Sequence, residues 1–200
     1  GRFVYLMAFL IPYMIFMIAY TLITANALMA RIVERGSMAC YLATPVSRTR
    51  VALSRASVLV LGEIIIVLLL TSVSVLAASG MHGSGVLEVK PFFAVNFMGF
   101  CLFLMVGAFS FLFSCIFNEE KYSITCSAGL TFVFYIMNTV GNMNKGLSWL
   151  KKVSPFGYFP PAEIVKGGFE ILFPAVGLIF VSAGLYALSI IIFNKRDLSL

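Results

Sequence analysis

Long apolar runs alternate with short polar segments along the chain. A bilayer core is roughly 30 Å thick, so a membrane-spanning helix needs about 20 mostly apolar residues. Five runs meet this requirement, and we predict spanning helices over residues 3–30, 56–79, 92–117, 122–140 and 169–193. The pattern therefore predicts an all-α fold, a polytopic transmembrane helical bundle that forms one domain over residues 1–200.

The polar segments between the runs differ in length and in charge. Residues 31–55 hold five arginines against a single acid, Glu34. Because arginine and lysine are concentrated in cytosolic loops, we place residues 31–55 in the cytosol. By alternation of the spans, residues 118–121 and the tail after residue 193 share that side. Residues 141–168 then form an extracytoplasmic loop, whose lysines count for less because the loop is long.

The composition excludes a soluble domain. The mean hydropathy is +1.03 and 11% of the residues are charged, whereas a soluble domain has roughly 25%. The net charge is +6, but the cations lie between apolar runs and form no basic stripe that would follow a phosphate backbone. We therefore expect a lipid bilayer around the chain and no nucleic-acid partner.

The first residues of the sequence bear on where the natural chain begins. Gly1, rather than a methionine, begins the sequence, and the first apolar run follows at once. That run is about twice as long as the core of a signal peptide, and no small-residue cleavage site follows it. We therefore expect the natural chain to begin before Gly1.

Residues 31–55 also carry the pattern of a short helix. Three apolar side chains recur there at helical spacing: Met38, Tyr41 and Leu42. Pro45 ends this helix, because the residue before a proline is kept out of the α region, and Ser47 is the predicted N-cap of the next helix. An amphipathic helix across the mouth of the bundle fits two roles equally well: contact with anionic lipid headgroups or docking on another protein.

The same segment resembles part of a known family. The stretch ERGSMACYLATPVSRTR is similar to the cytosolic coupling segment of ABC transporter permeases of the type 2 exporter family, in which E-x-G-[ST]-[LM] is followed by L-x-[AT]-[TS]-P-x-[SR]-R. Three further segments resemble this family in the same order: FSCIFNEEK, SPFGYFPPAEIVKG and FNKRDLSL. Ala39 and Cys40 depart from the pattern, because the family often has an acid and a large apolar residue there.

The resemblance implies a division of labour between subunits. The family typically has six spans, of which about five are present here. The permease is not an enzyme and binds no cofactor, and ATP and Mg²⁺ bind to a separate cytosolic ABC ATPase subunit; consistently, this chain has no G-x-x-x-x-G-K-[ST] loop. The resemblance also implies a second permease subunit and a location in the bacterial cytoplasmic membrane. The residues implied in ATPase coupling are Glu34, Gly36, Ser37, Met38, Tyr41, Leu42, Thr44, Pro45, Ser47 and Arg48.

Two further sets of residues are candidates for the transport path. Glu63 lies about two turns into the second predicted span, where an ionisable group is costly and usually faces the bundle interior or a wet cavity. It is either a pathway or interface residue, or a structural carboxyl bonded to a neighbouring helix. Residues 141–168 combine aromatic side chains with lysines, as interfacial segments do, and the resemblance implies an external gate there. The gate candidates are Pro155, Phe156, Tyr158 and Phe159.

Two other functions compete with this interpretation. An autonomous secondary transporter or channel needs ionisable residues along its path. Only Glu63 is a good candidate for such a residue in this sequence. An intramembrane enzyme needs clustered catalytic groups, which the sequence lacks. His82 is the only histidine, so a metal site built on two histidines is excluded. We therefore predict the permease subunit of an ATP-driven exporter.

Overall fold

The computed structural model describes residues 2–34, 47–82, 89–143, 145–165 and 170–195. These residues form helices and contain no β-strand. In chain order the helices are α1 (Arg2–Leu28), α2 (Ala30–Glu34), α3 (Arg48–His82), α4 (Val89–Ile116), α5 (Glu120–Met143), α6 (Ser148–Val153), α7 (Pro161–Val165) and α8 (Leu172–Lys195), with 3-10 turns at Lys145–Leu147 and Pro155–Tyr158. Five segments of the described chain are long and apolar enough to cross a membrane: Pro12–Glu34, Arg48–Leu76, Pro91–Ile116, Glu120–Met143 and Leu172–Lys195. The predicted all-α bundle with five spans is confirmed.

The helix bounds differ from the predicted spans where polar residues begin a helix. α3 begins at Arg48, before the predicted apolar span that starts at residue 56, and the predicted N-cap Ser47 is confirmed because its Oγ accepts a hydrogen bond from Arg50 N at 3.4 Å. α5 begins at Glu120, so the turn that joins it to α4 is limited to residues 117–119. Polar residues at helix starts satisfy backbone N–H groups that the helix itself leaves open, which lets a helix extend beyond its apolar part.

The ends of the spans meet on the sides that alternation predicts. Asn194 Nδ2 donates a hydrogen bond to Thr49 Oγ1 at 2.8 Å, which joins the end of α8 to the start of α3. Arg31 binds Glu120, which joins α2 to the start of α5. We call this end of the bundle the arginine side. We call residues 145–165, which lie at the other end, the cap.

α4 is the central helix of the bundle. It packs against α1, α3, α5, α7 and α8, and its contact with α8 is the most extensive between any two described helices. Two thirds (67%) of its most apolar window is buried, compared with 17–22% for the windows of α3, α5 and α8. α4 therefore has a protein environment on most of its surface, while the other three helices direct most of their apolar side chains outward, as a lipid-facing helix does.

Candidate functional site

One carboxyl group lies in the interior of the bundle. The Glu63 side chain is 0% exposed. Because α3 begins at Arg48, Glu63 lies near the midpoint of the candidate span Arg48–Leu76, deeper than the two turns expected from the sequence. Its neighbours Thr21 and Tyr186 also lie near the middle of their spans. The carboxyl is therefore at the depth at which water is scarcest and an ionisable group is most costly.

The surroundings of this carboxyl come from four spans. Thr21 Oγ1 on α1 donates a hydrogen bond to Glu63 Oε1 at 3.4 Å. Gly107 on α4 faces the same oxygen so closely that a Cβ at that position would lie 2.6 Å from Glu63 Oε1 and 3.0 Å from the Tyr186 hydroxyl of α8. Neither Glu63 Oε2 nor the Tyr186 hydroxyl has a hydrogen-bond partner among the described residues. We call Glu63, Thr21, Gly107 and Tyr186 the carboxyl cluster.

Two tyrosines of α1 also reach neighbouring spans. Tyr20 donates a hydrogen bond to the Leu59 carbonyl oxygen, one turn before Glu63 on α3, at 3.3 Å. Each of the two tyrosines lies against a glycine of a neighbouring span, Gly99 for Tyr13 and Gly62 for Tyr20. The missing Cβ atoms allow phenol groups to reach between helix backbones, which is how small residues bring membrane helices close together. The sequence offered no signal for these pairs, because glycine is common in membrane helices.

Alanine at position 107 is expected to displace the Glu63 carboxyl. The added Cβ would meet two polar atoms well inside van der Waals distance, but both end flexible side chains, so we expect the fold to survive with a loss of about 1–2 kcal/mol. Thermal unfolding of the purified protein in detergent measures this loss. Gly129→Ala is the matched control, because nothing lies within 4 Å of its added Cβ. Combining Gly107→Ala with Glu63→Ala should recover part of the loss, and an unchanged loss would contradict this packing.

A second polar network holds α2 to the hairpin formed by α4 and α5. Arg31 forms a bidentate ion pair with Glu120, with Nη2 2.6 Å from Oε1 and Nε 2.8 Å from Oε2. Glu34 Oε2 accepts a hydrogen bond from the backbone N–H of Glu120 at 2.9 Å. A carboxylate at this position satisfies an open N–H group and complements the positive end of the α5 dipole. Glu34 is therefore a capping group for a neighbouring span.

The break between α1 and α2 is fixed by polar side chains just inside the arginine side. Ser114 Oγ on α4 accepts a hydrogen bond from Ala30 N at 2.9 Å and lies 3.4 Å from the Asn26 carbonyl oxygen. Ser123 on α5 donates a hydrogen bond to Asn26 Oδ1. The turn at Met29 is thus tied to both helices of the α4–α5 hairpin. The sequence predicted one unbroken span over residues 3–30, because it does not reveal that a serine of α4 accepts a hydrogen bond from the Ala30 N–H.

The cap is anchored by the aromatic side chains that were predicted to form a gate. Pro155, Phe156 and Phe159 are buried, and Phe156 lies edge-on to Tyr135 of α5 with ring centroids 5.9 Å apart. Tyr158 is 39% exposed and donates a hydrogen bond to the Lys152 carbonyl oxygen at 2.9 Å. In this structure Phe156 and Phe159 are therefore packed into the core that joins the cap to α1, α4, α5 and α8, and Pro155 is buried beside them.

An apolar groove runs along the outer surface between α1 and α5. One part has a volume of about 790 Å³ and includes Leu22 and Phe132. An adjoining part of about 420 Å³ reaches Phe159 and Pro161 in the cap. The two parts share Ile18, Tyr135 and Phe156. The groove therefore extends from near the arginine side to the cap, with an almost entirely apolar lining.

The family to which the chain belongs is decided by a match over nearly its full length. A family described as "ABC-2 family transporter protein" matches residues 3–198. The chain belongs to this ABC-2 family. No curated protein and no solved structure matches it. The ABC-2 permease is an integral membrane protein and the membrane part of an ABC transporter, so the resemblance seen in four segments of the sequence is confirmed.

The residues predicted to couple this ABC-2 permease to an ATPase are only partly within the described structure. Glu34 ends α2, Ser47 caps α3, and Arg48 is the first residue of α3. Outside the described residues lie Gly36, Ser37, Met38, Tyr41, Leu42, Thr44 and Pro45. The described parts bring the two ends of the segment to the arginine side. At that side the ABC-2 permease also presents the start of α5 and the end of α8.

Proposed function

We propose that this chain is the transmembrane permease subunit of an ATP-driven ABC exporter. A separate cytosolic ABC ATPase subunit binds ATP and Mg²⁺, and the permease itself carries no catalytic residue and no cofactor. Two permease subunits form the membrane part of the complex, and the arginine side faces the cytosol of a bacterial cell, in accordance with the distribution of arginine in residues 31–55.

The observation that carries this proposal is the attachment of α2 to the α4–α5 hairpin. The predicted coupling segment begins at Glu34, and Glu34 and Arg31 are both bonded to Glu120. A force applied to residues 35–46 would reach α5 through these contacts, because a bidentate arginine–carboxylate pair has a fixed geometry. The other end of the segment joins α3 at its N-cap, Ser47, so a force applied to the segment would also reach α3. Movement of the ATPase would then shift two spans together, as in other rigid-body switches.

The groove between α1 and α5 is our candidate for the substrate path. It spans the distance between the arginine side and the cap, and its lining favours an apolar substrate or an apolar part of one. Because it lies on the outer surface of this chain, a second permease subunit placed against α1 and α5 would enclose it. Phe156 and Phe159 at its cap end would then act as the external gate.

Reversing the charges of the Arg31–Glu120 pair tests this proposal. Arg31→Glu places a third acid beside Glu34 and Glu120, and Glu120→Arg places a cation at the positive end of α5; each should lower permease-stimulated ATP hydrolysis severalfold. The double variant restores the pair and should recover most of the activity. The measurement is phosphate release by the permease purified in nanodiscs with its co-purifying ATPase. Single variants that hydrolyse ATP at the normal stimulated rate would contradict the proposed role of α2.

A further inference from the structure

The carboxyl cluster is incompletely bonded in this structure. Thr21 approaches Glu63 Oε1 at 3.4 Å, whereas a hydroxyl usually donates to an oxygen at about 2.7–2.8 Å. Glu63 Oε2 and the Tyr186 hydroxyl are buried without a hydrogen-bond partner among the described residues. Buried polar groups are almost always paired, and leaving one unpaired costs free energy. Two unpaired groups in one cluster therefore call for a specific explanation.

The geometry around Gly107 provides one. Glu63 Oε1 and the Tyr186 hydroxyl oxygen both face the position that a Cβ of Gly107 would occupy, at 2.6 and 3.0 Å. The two oxygens are therefore separated by at most two hydrogen-bond lengths. Gly107 itself places no side chain between them. A relative shift of 1–2 Å between spans, which is common in conformational switches, combined with a rotation of the Glu63 side chain would bring them within hydrogen-bond distance.

The two possible partners of Glu63 belong to different parts of the bundle. Thr21 is on α1, which continues through the turn at Met29 into α2 and the Arg31–Glu120 pair. Tyr186 is on α8, where its ring lies 5.8 Å from that of Phe111, and α8 and α4 share the most extensive helix contact. Glu63 on α3 therefore lies between a helix attached to the predicted coupling segment and a helix attached to the centre of the bundle.

We propose that Glu63 is a coupling residue that exchanges partners during transport, bonded to Thr21 of α1 in the state described here and to Tyr186 of α8 in the alternate state. The proposal rests on the proposed function, because it requires a transport cycle with two states of the bundle. It explains why Tyr186 is unpaired here and why a glycine faces the carboxyl. It also assigns Glu63 a role in the movement of the spans rather than in binding the substrate.

Single hydroxyl deletions on the two sides of Glu63 test this exchange. Thr21→Val removes the hydrogen bond to Glu63, which exists in the present state only. Tyr186→Phe removes a bond of the alternate state only and also relieves an unpaired hydroxyl in the present state. The two substitutions should therefore shift the equilibrium in opposite directions, each by about fivefold if one hydrogen bond is lost. The double variant should return close to the wild-type equilibrium.

The populations are measured as distances between spin labels on exposed positions 23 of α1 and 188 of α8, in a variant without native cysteines. The complete permease–ATPase complex in nanodiscs is used, with and without a non-hydrolysable ATP analogue. Thr139→Val and Tyr122→Phe are matched controls on exposed positions of α5 outside the groove and should leave the populations unchanged. Opposite shifts for Thr21→Val and Tyr186→Phe support the exchange.

Shifts in the same direction, or no shift in either variant, would overturn it. The proposed function is tested separately in the wild-type complex, because the ATP analogue itself should change the distance distribution. If the analogue has no effect while the two variants still shift in opposite directions, the exchange stands and ATP coupling fails. If the analogue shifts the wild type and the variants do not differ, ATP coupling stands and the exchange fails.

Discussion

Replacing Gly157 with alanine is expected to cost about 3 kcal/mol and to detach the cap from the bundle. A Cβ at position 157 would collide with the carbonyl oxygen of Lys151, a backbone atom of α6 that no rotamer change can move away. The backbone of α6 also lies close to α5, because a Cβ at Gly141 of α5 would lie 2.9 Å from Lys151 N. Close contacts with both Gly157 and Gly141 leave α6 little room to shift.

Thermal unfolding of the purified Gly157→Ala variant in detergent measures this effect. Gly184→Ala is the matched control: nothing lies within 4 Å of its added Cβ, and alanine is favoured over glycine inside a helix, so its stability should be unchanged or slightly raised. Since Gly157 lies between the buried residues Phe156 and Phe159, the loss should be accompanied by exposure of the apolar surface of the cap. A Gly157→Ala protein as stable as the Gly184→Ala control would show that the cap is not packed as described.

Much of the fold could be predicted because membrane spans are encoded by composition. Five apolar runs long enough to cross a bilayer gave the five candidate spans, and their alternation along the chain gave the grouping of their ends. The start of α3 could also be predicted, because the preference of serine for the N-cap position depends only on neighbouring residues. These features depend on a few neighbouring residues or on average hydropathy.

The contacts between spans could not be predicted in the same way. Glu34 was assigned to ATPase coupling by resemblance, and its bond to the backbone of Glu120 joins residues that are 86 positions apart. The apposition of Gly107, Glu63 and Tyr186 likewise depends on the relative rotation of three apolar helices. Helices that are apolar on all sides have no hydrophobic face that would fix this rotation. Close packing of small residues and buried polar groups fixes it instead.

The largest functional effect is expected from acidic substitutions in the predicted coupling helix. Tyr41 and Leu42 lie next to each other on its apolar stripe with Met38, and the proposed function places this stripe against an apolar groove of the ATPase. Aspartate at both positions would put two charges into that contact, which costs several kcal/mol when the charges are buried without partners. We expect the Tyr41→Asp/Leu42→Asp double variant to lose its coupling to the ATPase while the bundle still folds and inserts. The spans lie outside the altered segment.

The most direct test of the account is therefore the rate of ATP hydrolysis by the complex of this double variant with its ATPase. Met143→Asp combined with Leu172→Asp is the matched control, because both positions are highly exposed at the opposite end of their helices. The account predicts that Tyr41→Asp/Leu42→Asp lowers ATP hydrolysis to the rate of the ATPase alone, whereas the control keeps the permease-stimulated rate. Full stimulation by the double variant, with a correctly folded and inserted permease, would contradict the claim that this segment couples the chain to an ATPase.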